Sequence, residues 1–221
     1  NFQNIVELKS KQCFFRHAVH SGKIQSNKGN KNQIILSVNS SADNEGLENL
    51  NSDSVCRKTL LIDVESGEYE IFTSGHRNII GMYSDENVIL ATEHGPFAGD
   101  EINNIKQGLS YGWPVSSYGE KYSRGQSNKP PNYKKSHEAH GFQEPIFSFI
   151  PAIGISEIIK LPNNFSEMWQ DNFLIASLNV SVIITLSAIP VASSKGLKVI
   201  VGASTSAVVK LSVVASEIPA Y

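Results

Sequence analysis

Cysteine is nearly absent from this chain, and its two copies, Cys13 and Cys56, exclude a disulfide scaffold and a Cys-rich zinc module. Whether the two join in one bridge stays open on the sequence alone. Excess charge is lacking as well: a net charge of -2 and a pI near 6.3 leave no basic face for nucleic acid or an anionic membrane. No stretch of useful length has helical periodicity. No basic-then-apolar leader precedes the first motifs, and the chain begins at Asn1, which reads as a missing N-terminus. Arginine stops at Arg124 and aspartate at Asp171. With 221 residues and 40% hydrophobic content, the chain can bury one sizeable core.

Short β-type runs separated by turn residues fill the rest. Residues 32–39 (NQIILSVN) read as a strand, and 58–75 as a hairpin turning at Glu65-Ser66-Gly67. Another strand, 87–92, follows the turn-like Ser84-Asp85-Glu86; further runs lie within 147–161 and 172–178. The pattern predicts an all-β sandwich, barrel or propeller. Residues 119–141 are rich in Lys, Ser, Asn and Pro and read as a long surface loop. The uncharged run 172–194 is long enough to raise a membrane span, but Asn179, Pro190 and its serines favour strand. From 181 to 221 Val, Ser, Ala and Ile dominate, a shift in character that sets this tail apart from residues 1–180.

Four clusters in residues 75–122 carry the most information: Gly75-His76-Arg77-Asn78, Glu93-His94-Gly95-Pro96, Gly99-Asp100-Glu101-Ile102-Asn103 and Tyr111-Gly112-Trp113-Pro114. Their order and spacing resemble the soluble aldose (glucose/sorbosone) dehydrogenases that use pyrroloquinoline quinone (PQQ). A weaker resemblance runs from about Gly22 to Asn179. It implies a six-bladed β-propeller of antiparallel four-stranded blades, of which this chain would be a fragment. It also implies a periplasmic or secreted protein with Ca²⁺, an aldose substrate and an external electron acceptor.

The resemblance assigns roles residue by residue. Arg77 would donate to the quinone oxygen as it gains negative charge, work suited to a guanidinium that never deprotonates. Asn78 and Tyr122 would contact PQQ, and Ser177, Leu178 and Asn179 would line its site. Gly95 and Pro96 would offer backbone carbonyls to calcium; Glu101 and the Tyr111 carbonyl would serve a second calcium site. Each motif also has a plain reading: a surface ion pair for Arg77, a simple turn for Gly95-Pro96 and a solvated acidic turn for Asp100-Glu101. Trp113 reads as a packing residue.

The chain departs from the pattern in several places. After Gly-His-Arg-Asn the family usually continues Pro-Gln-Gly, whereas this chain has Ile79-Ile80-Gly81. Removing the anomeric hydroxyl proton calls for a base, a natural task for histidine. In Ala18-Val19-His20-Ser21-Gly22-Lys23, Val19 takes the family's His position and His20 comes one residue later. His20 is the candidate base, and the alternative that no base is retained stays open. Asn179 replaces a family Lys, and a late Arg pair is missing. The pairs His17/His20 and His137/His140 invite a zinc reading, but neither segment reads as helical, and His137 and His140 read as solvated. A propeller that binds protein or carbohydrate without catalysis is the rival function.

Overall fold

The computed structural model describes residues 8, 24–26, 33–39, 53–122, 132–165, 167, 171–177, 181–187 and 208–214. Strands β1 (Ile24–Ser26), β2 (Gln33–Val38), β3 (Lys58–Asp63) and β4 (Tyr69–Ser74) form one four-stranded sheet, each paired with the next. Alternation builds it. On β3, Leu60 and Ile62 are buried and alternate with the half-buried Leu61 and Asp63, the period-two signature of a strand. The β3–β4 turn closes because Asp63 Oδ1 accepts the N–H groups of Glu65 (3.0 Å) and Ser66 (2.8 Å).

A second sheet holds β5 (Ile79–Ser84), β6 (Ile89–Glu93), β7 (Asp100–Asn104) and β8 (Phe147–Phe149) in sequence order. The third contains β9 (Ile155–Lys160), β10 (Asn172–Ser177), β11 (Ser181–Ser187) and β12 (Val208–Val214). Every pairing is antiparallel except β11–β12, which is parallel. That parallel pair departs from the antiparallel blade implied by the resemblance.

The hydrophobic core lies largely between consecutive sheets. Ile35 and Phe72 of the first sheet pack with Ile79, Met82 and Ala91 of the second. Leu90, Ile102 and Phe149 of the second pack with Ile155, Ile158, Phe173 and Ile175 of the third. The first strands touch in turn, β1 against β5 and β5 against β9. Burying a side chain of this size contributes about 1.5–3 kcal/mol, so these layers dominate cohesion between sheets.

The expected strands are all present, and others appear that the sequence reading did not anticipate, β5 and β7 among them. β5 contains Gly81, where a Cβ would lie 2.4 Å from the Ser156 carbonyl oxygen; the glycine admits β9 to close contact. β7, Asp-Glu-Ile-Asn-Asn, is buried along its whole length despite its two carboxylates. The polar segment 119–141 is not wholly surface: Tyr133 and His137 are buried, and a one-turn 3-10 helix spans Glu138–His140. Cys56 is buried and disulfide-bonded; Cys13 lies outside the described residues. Among the described residues no helix is long and apolar enough to cross a membrane.

Candidate functional site

The connection from β4 to β5 carries Gly75-His76-Arg77-Asn78 from the first sheet into the second. Gly75 has φ +76°, and a Cβ on it would meet the backbone N of Gly112 at 2.6 Å. Only glycine fits there. That contact exists because the backbone of Tyr111–Trp113 docks on this connection: Tyr111 N–H donates to the Ser74 carbonyl and Trp113 N–H to that of Gly75, both at 2.9 Å. Two motifs that start 36 residues apart, at Gly75 and Tyr111, are thus joined through main-chain bonds.

Glu93, at the end of β6, holds the same connection from the other side. Its Oε1 accepts the N–H of Arg77 and, at 3.2 Å, that of Asn78. Its Oε2 accepts from His76 Nδ1 at 3.1 Å and from Asn103 Nδ2 at 3.4 Å. Burial works against the charge on Glu93, but the His76 imidazole and then the two amides outweigh it and hold the carboxyl below its usual range. On the other side of the ring, His76 Nε2 is hydrogen-bonded with Thr73 Oγ1 (2.8 Å), which lies 2.5 Å from Thr59 Oγ1. The His76 ring also stacks on Tyr111, with centroids 4.6 Å apart.

From this anchored backbone the Arg77 side chain reaches back to the residues after Glu93. Its Nη1 donates to the carbonyls of His94 (3.1 Å) and Gly95 (2.8 Å), and its guanidinium lies 5.4 Å from the Trp113 ring centroid. Gly95 sits in a tight cradle, where a Cβ would lie 2.2 Å from the Gly99 carbonyl oxygen. Asp100 supports the turn: its Oδ1 accepts the Gly95 N–H (3.2 Å), while Oδ2 takes the N–H groups of Ile153, Gly154 and Ile155. The next carbonyl, Pro96, accepts from the Tyr122 hydroxyl at 2.8 Å. Tyr122 is 55% exposed and meets Phe97 edge-on.

Glu101 and Tyr111 meet through His137. Nδ1 of His137 donates to the Tyr111 carbonyl at 2.9 Å, and its Nε2 lies 3.5 Å from Glu101 Oε1. Burial, then the nearby Glu93, pushes the Glu101 carboxyl well above its usual range, and burial lowers the His137 imidazole. Asn103 Nδ2 bonds Glu93 and Glu101 at 3.4 Å each.

These groups line a small, partly open cavity of about 10 Å³, with Arg77, Glu93, Gly95, Glu101, Tyr111 and His137 in its wall. Such a volume admits about one water or one small ion. Buried polar atoms without a hydrogen-bond partner gather around it: Trp113 Nε1, Ser116 Oγ and His137 Nε2 belong to its lining residues, and Asn103 Oδ1 and Asn78 Oδ1 to residues bonded to Glu93. Orphaned buried polar atoms are costly and rare unless a site uses them. Among the described residues no three His, Cys, Asp or Glu side chains form a metal cluster. A cation here would therefore depend on backbone carbonyls and one or two carboxylates, a donor set suited to a hard ion.

The structure thus brings together Arg77, Asn78, Gly95, Pro96, Glu101, Tyr111 and Tyr122. The metal-type carbonyls already accept from side chains: Gly95 from Arg77, Pro96 from Tyr122 and Tyr111 from His137. Each retains a second lone pair. Ser177 ends β10 opposite Ile155 and is not part of the cavity wall. His17, His20, Leu178 and Asn179 lie outside the described residues. Sequence reasoning missed Glu93 and His137 as site residues. Glu93 stood inside a quoted motif, and its signal was a carboxylate next to the Gly-Pro turn. His137 was read as solvated, yet it is 1% exposed; His140 is exposed, so the two do not form a zinc pair.

Known proteins resemble the chain at the levels of sequence and fold. An uncharacterized protein, slr1608, of Synechocystis sp. is 33% identical over 111 residues, covering 49% of this chain and 26% of that protein. Aldose sugar dehydrogenase YliI of Escherichia coli is 33% identical over 126 residues, 56% of this chain and 33% of the relative. The chain therefore spans only about a quarter to a third of the length of these relatives. The crystal structure of the soluble aldose sugar dehydrogenase of Escherichia coli in its apo-form shares the fold, with a TM-score of 0.59 at 23% identity over 71% of this chain and 48% of that one. The Glucose / Sorbosone dehydrogenase family matches residues 41–198, which include all four motifs and strands β3 to β11. With more than half of its length matched, and the motifs converging on one cavity, the chain is a member of the glucose/sorbosone dehydrogenase family.

Proposed function

We propose that the protein to which this chain belongs oxidises an aldose at its anomeric hydroxyl, giving a lactone. The oxidation releases one hydride, which bound PQQ would accept with calcium as Lewis acid, and one proton, which a base would take, with the electrons passing to an external acceptor. The observation that carries this reading is the convergence of Arg77, Asn78 and Tyr122 with the Gly95 and Pro96 carbonyls, over a connection fixed by Glu93. When bound, the quinone supplies the two-electron acceptor and calcium the Lewis acid.

The residues present fit those groups. Arg77 is a permanent cation in a part-buried setting, where a guanidinium stabilises developing negative charge more strongly than in water. Asn78 Oδ1, buried without a partner, is an acceptor ready for a donor on a ligand. Tyr122 presents an exposed ring and holds the Pro96 carbonyl through its hydroxyl. Gly95 and Pro96 would offer the cofactor's calcium their second lone pairs, and Glu101 with Tyr111 would hold a second calcium. His20 is the proposed base, and Ser177, Leu178 and Asn179 complete the proposed cofactor surface.

The sequential sheets, packed face to face with their first strands adjacent, support a partial six-bladed β-propeller, which we assign to residues 1–180; 181–221 is the proposed divergent tail, and its β11 and β12 join the third sheet as a parallel pair. A periplasmic or secreted location belongs to the same reading. The full-length gene product, loaded with PQQ and Ca²⁺, tests it by aldose-dependent reduction of a dye acceptor. Turnover with an aldose supports the proposal. A loaded protein that reduces no dye with any aldose overturns it in favour of a binding module.

A further inference from the structure

Glu93 is only 4% exposed, yet it carries a carboxylate among donors drawn from outside its own strand. Burying a charge is costly unless every lone pair finds a partner. Here His76, Arg77, Asn78 and Asn103 supply those partners, and His76 extends the network to Thr73 and Thr59 on the first sheet. Apolar packing alone would hold two sheets together. What a carboxylate adds is a fixed position for two consecutive amides, those of Arg77 and Asn78. The Arg77 side chain then returns to the carbonyls of His94 and Gly95, directly after Glu93 in the chain. Backbone and guanidinium of Arg77 are therefore both tied to residues 93–95, which closes a loop that leaves Arg77 little freedom.

We infer that Glu93 is a positioning residue: its carboxylate sets the backbone of Arg77 and Asn78, and so aims the guanidinium and the carboxamide at the quinone. The inference rests on the quinone reading of Arg77. Glu93 acts through its two neighbours, whose amides it holds.

A double-mutant cycle on this chain tests the inference, with PQQ in excess Ca²⁺ as the probe and equilibrium dialysis as the readout. Glu93→Ala is expected to weaken PQQ binding about tenfold or more in the wild-type background and less than about twofold in an Arg77→Ala background, because coupled residues are not additive. Glu93→Gln keeps the shape and one acceptor oxygen, and it recovers part of the loss. Equal losses in both backgrounds overturn the inference.

A second readout needs no cofactor. The Nε–H resonance of Arg77, expected to be shifted by the Trp113 ring 5.4 Å from its guanidinium, should move toward that of a mobile arginine in Glu93→Ala. It stays in place in Ile62→Val, a core change in the first sheet away from Arg77. An unmoved resonance in Glu93→Ala overturns the inference; if that variant does not fold, Glu93→Gln carries the measurement, and a wild-type resonance there is the contrary result. If the wild-type chain takes up no PQQ, the quinone reading falls, and the resonance still decides whether Glu93 positions Arg77.

Discussion

Arg77 Nη1 donates to the Gly95 carbonyl at 2.8 Å, so the residue expected to meet the quinone already touches a carbonyl expected to meet its calcium. The two assignments are therefore physically linked. A change at Arg77 alters the metal-facing turn as well as the charge available to the quinone.

In the full-length enzyme, Arg77→Ala is expected to lower turnover more than it weakens sugar binding, by about 2.7–4 kcal/mol if Arg77 acts as an oxyanion-hole donor does. Arg77→Lys recovers only part, because an ammonium cannot reproduce a planar guanidinium whose Nη1 serves the His94 and Gly95 carbonyls while its other nitrogens would serve the quinone. Steady-state kinetics at saturating PQQ and Ca²⁺ check this. An unchanged turnover rate for Arg77→Ala returns the residue to a structural role.

Gly95→Ala is expected to destabilise the fold by about 1–3 kcal/mol, the usual cost of forcing a methyl into a packed site. The added Cβ would lie 2.2 Å from the Gly99 carbonyl oxygen and 2.3 Å from that of Ala98, backbone atoms that cannot swing aside. Urea unfolding measures it. Gly108→Ala is an informative control: Gly108 also has a positive φ, but its Cβ would meet nothing within 4 Å, so backbone strain is its only cost.

Much of this was legible beforehand, for local reasons. The β3–β4 hairpin announced itself because Asp63, Ser66 and Gly67 complete their turn within a few residues. β7 was not legible, because a string of carboxylates and amides reads as solvated when its partners are distant. Asp100 finds its donors at Ile153–Ile155, and Glu101 meets His137. His137 looked solvated for the same reason: what buries it is the Tyr111 carbonyl, 26 positions earlier. The four motifs were readable as a set, but not the carboxylate of Glu93 that ties two of them together.

Calcium is expected to raise the melting temperature of this chain, and a chelator to reverse the shift. Glu101→Gln should reduce that shift, since it removes the anionic ligand while keeping the side-chain volume. Equal melting temperatures with calcium and with chelator count against a site at Glu101 and Tyr111.

Acid should weaken the β5–β6 turn. Burial opposes charge on Asp85, but the Asn87 N–H, the Tyr83 hydroxyl, the Val88 N–H and Lys160 outweigh it and hold its carboxyl below the ordinary 3.8. A group depressed in the folded state contributes stability that is fully present above its unfolded pKa and lost as pH falls through the folded value. The contribution is thus intact at neutral pH and disappears below about pH 4. Urea unfolding of Asp85→Asn and wild type across this range checks it: the gap between them should narrow on acidification, and a constant gap contradicts the assignment. Tyr83, pushed up to about 12 by burial and then by Asp85, remains a donor throughout.

The most direct measurement is equilibrium dialysis of this chain against PQQ in Ca²⁺, comparing wild type with Arg77→Ala. The account predicts calcium-dependent binding by the wild type, weakened about a hundredfold in the variant, the loss of one charge-assisted pair of about 2.7 kcal/mol. Equal binding by both proteins, or no binding by the wild type, would contradict it.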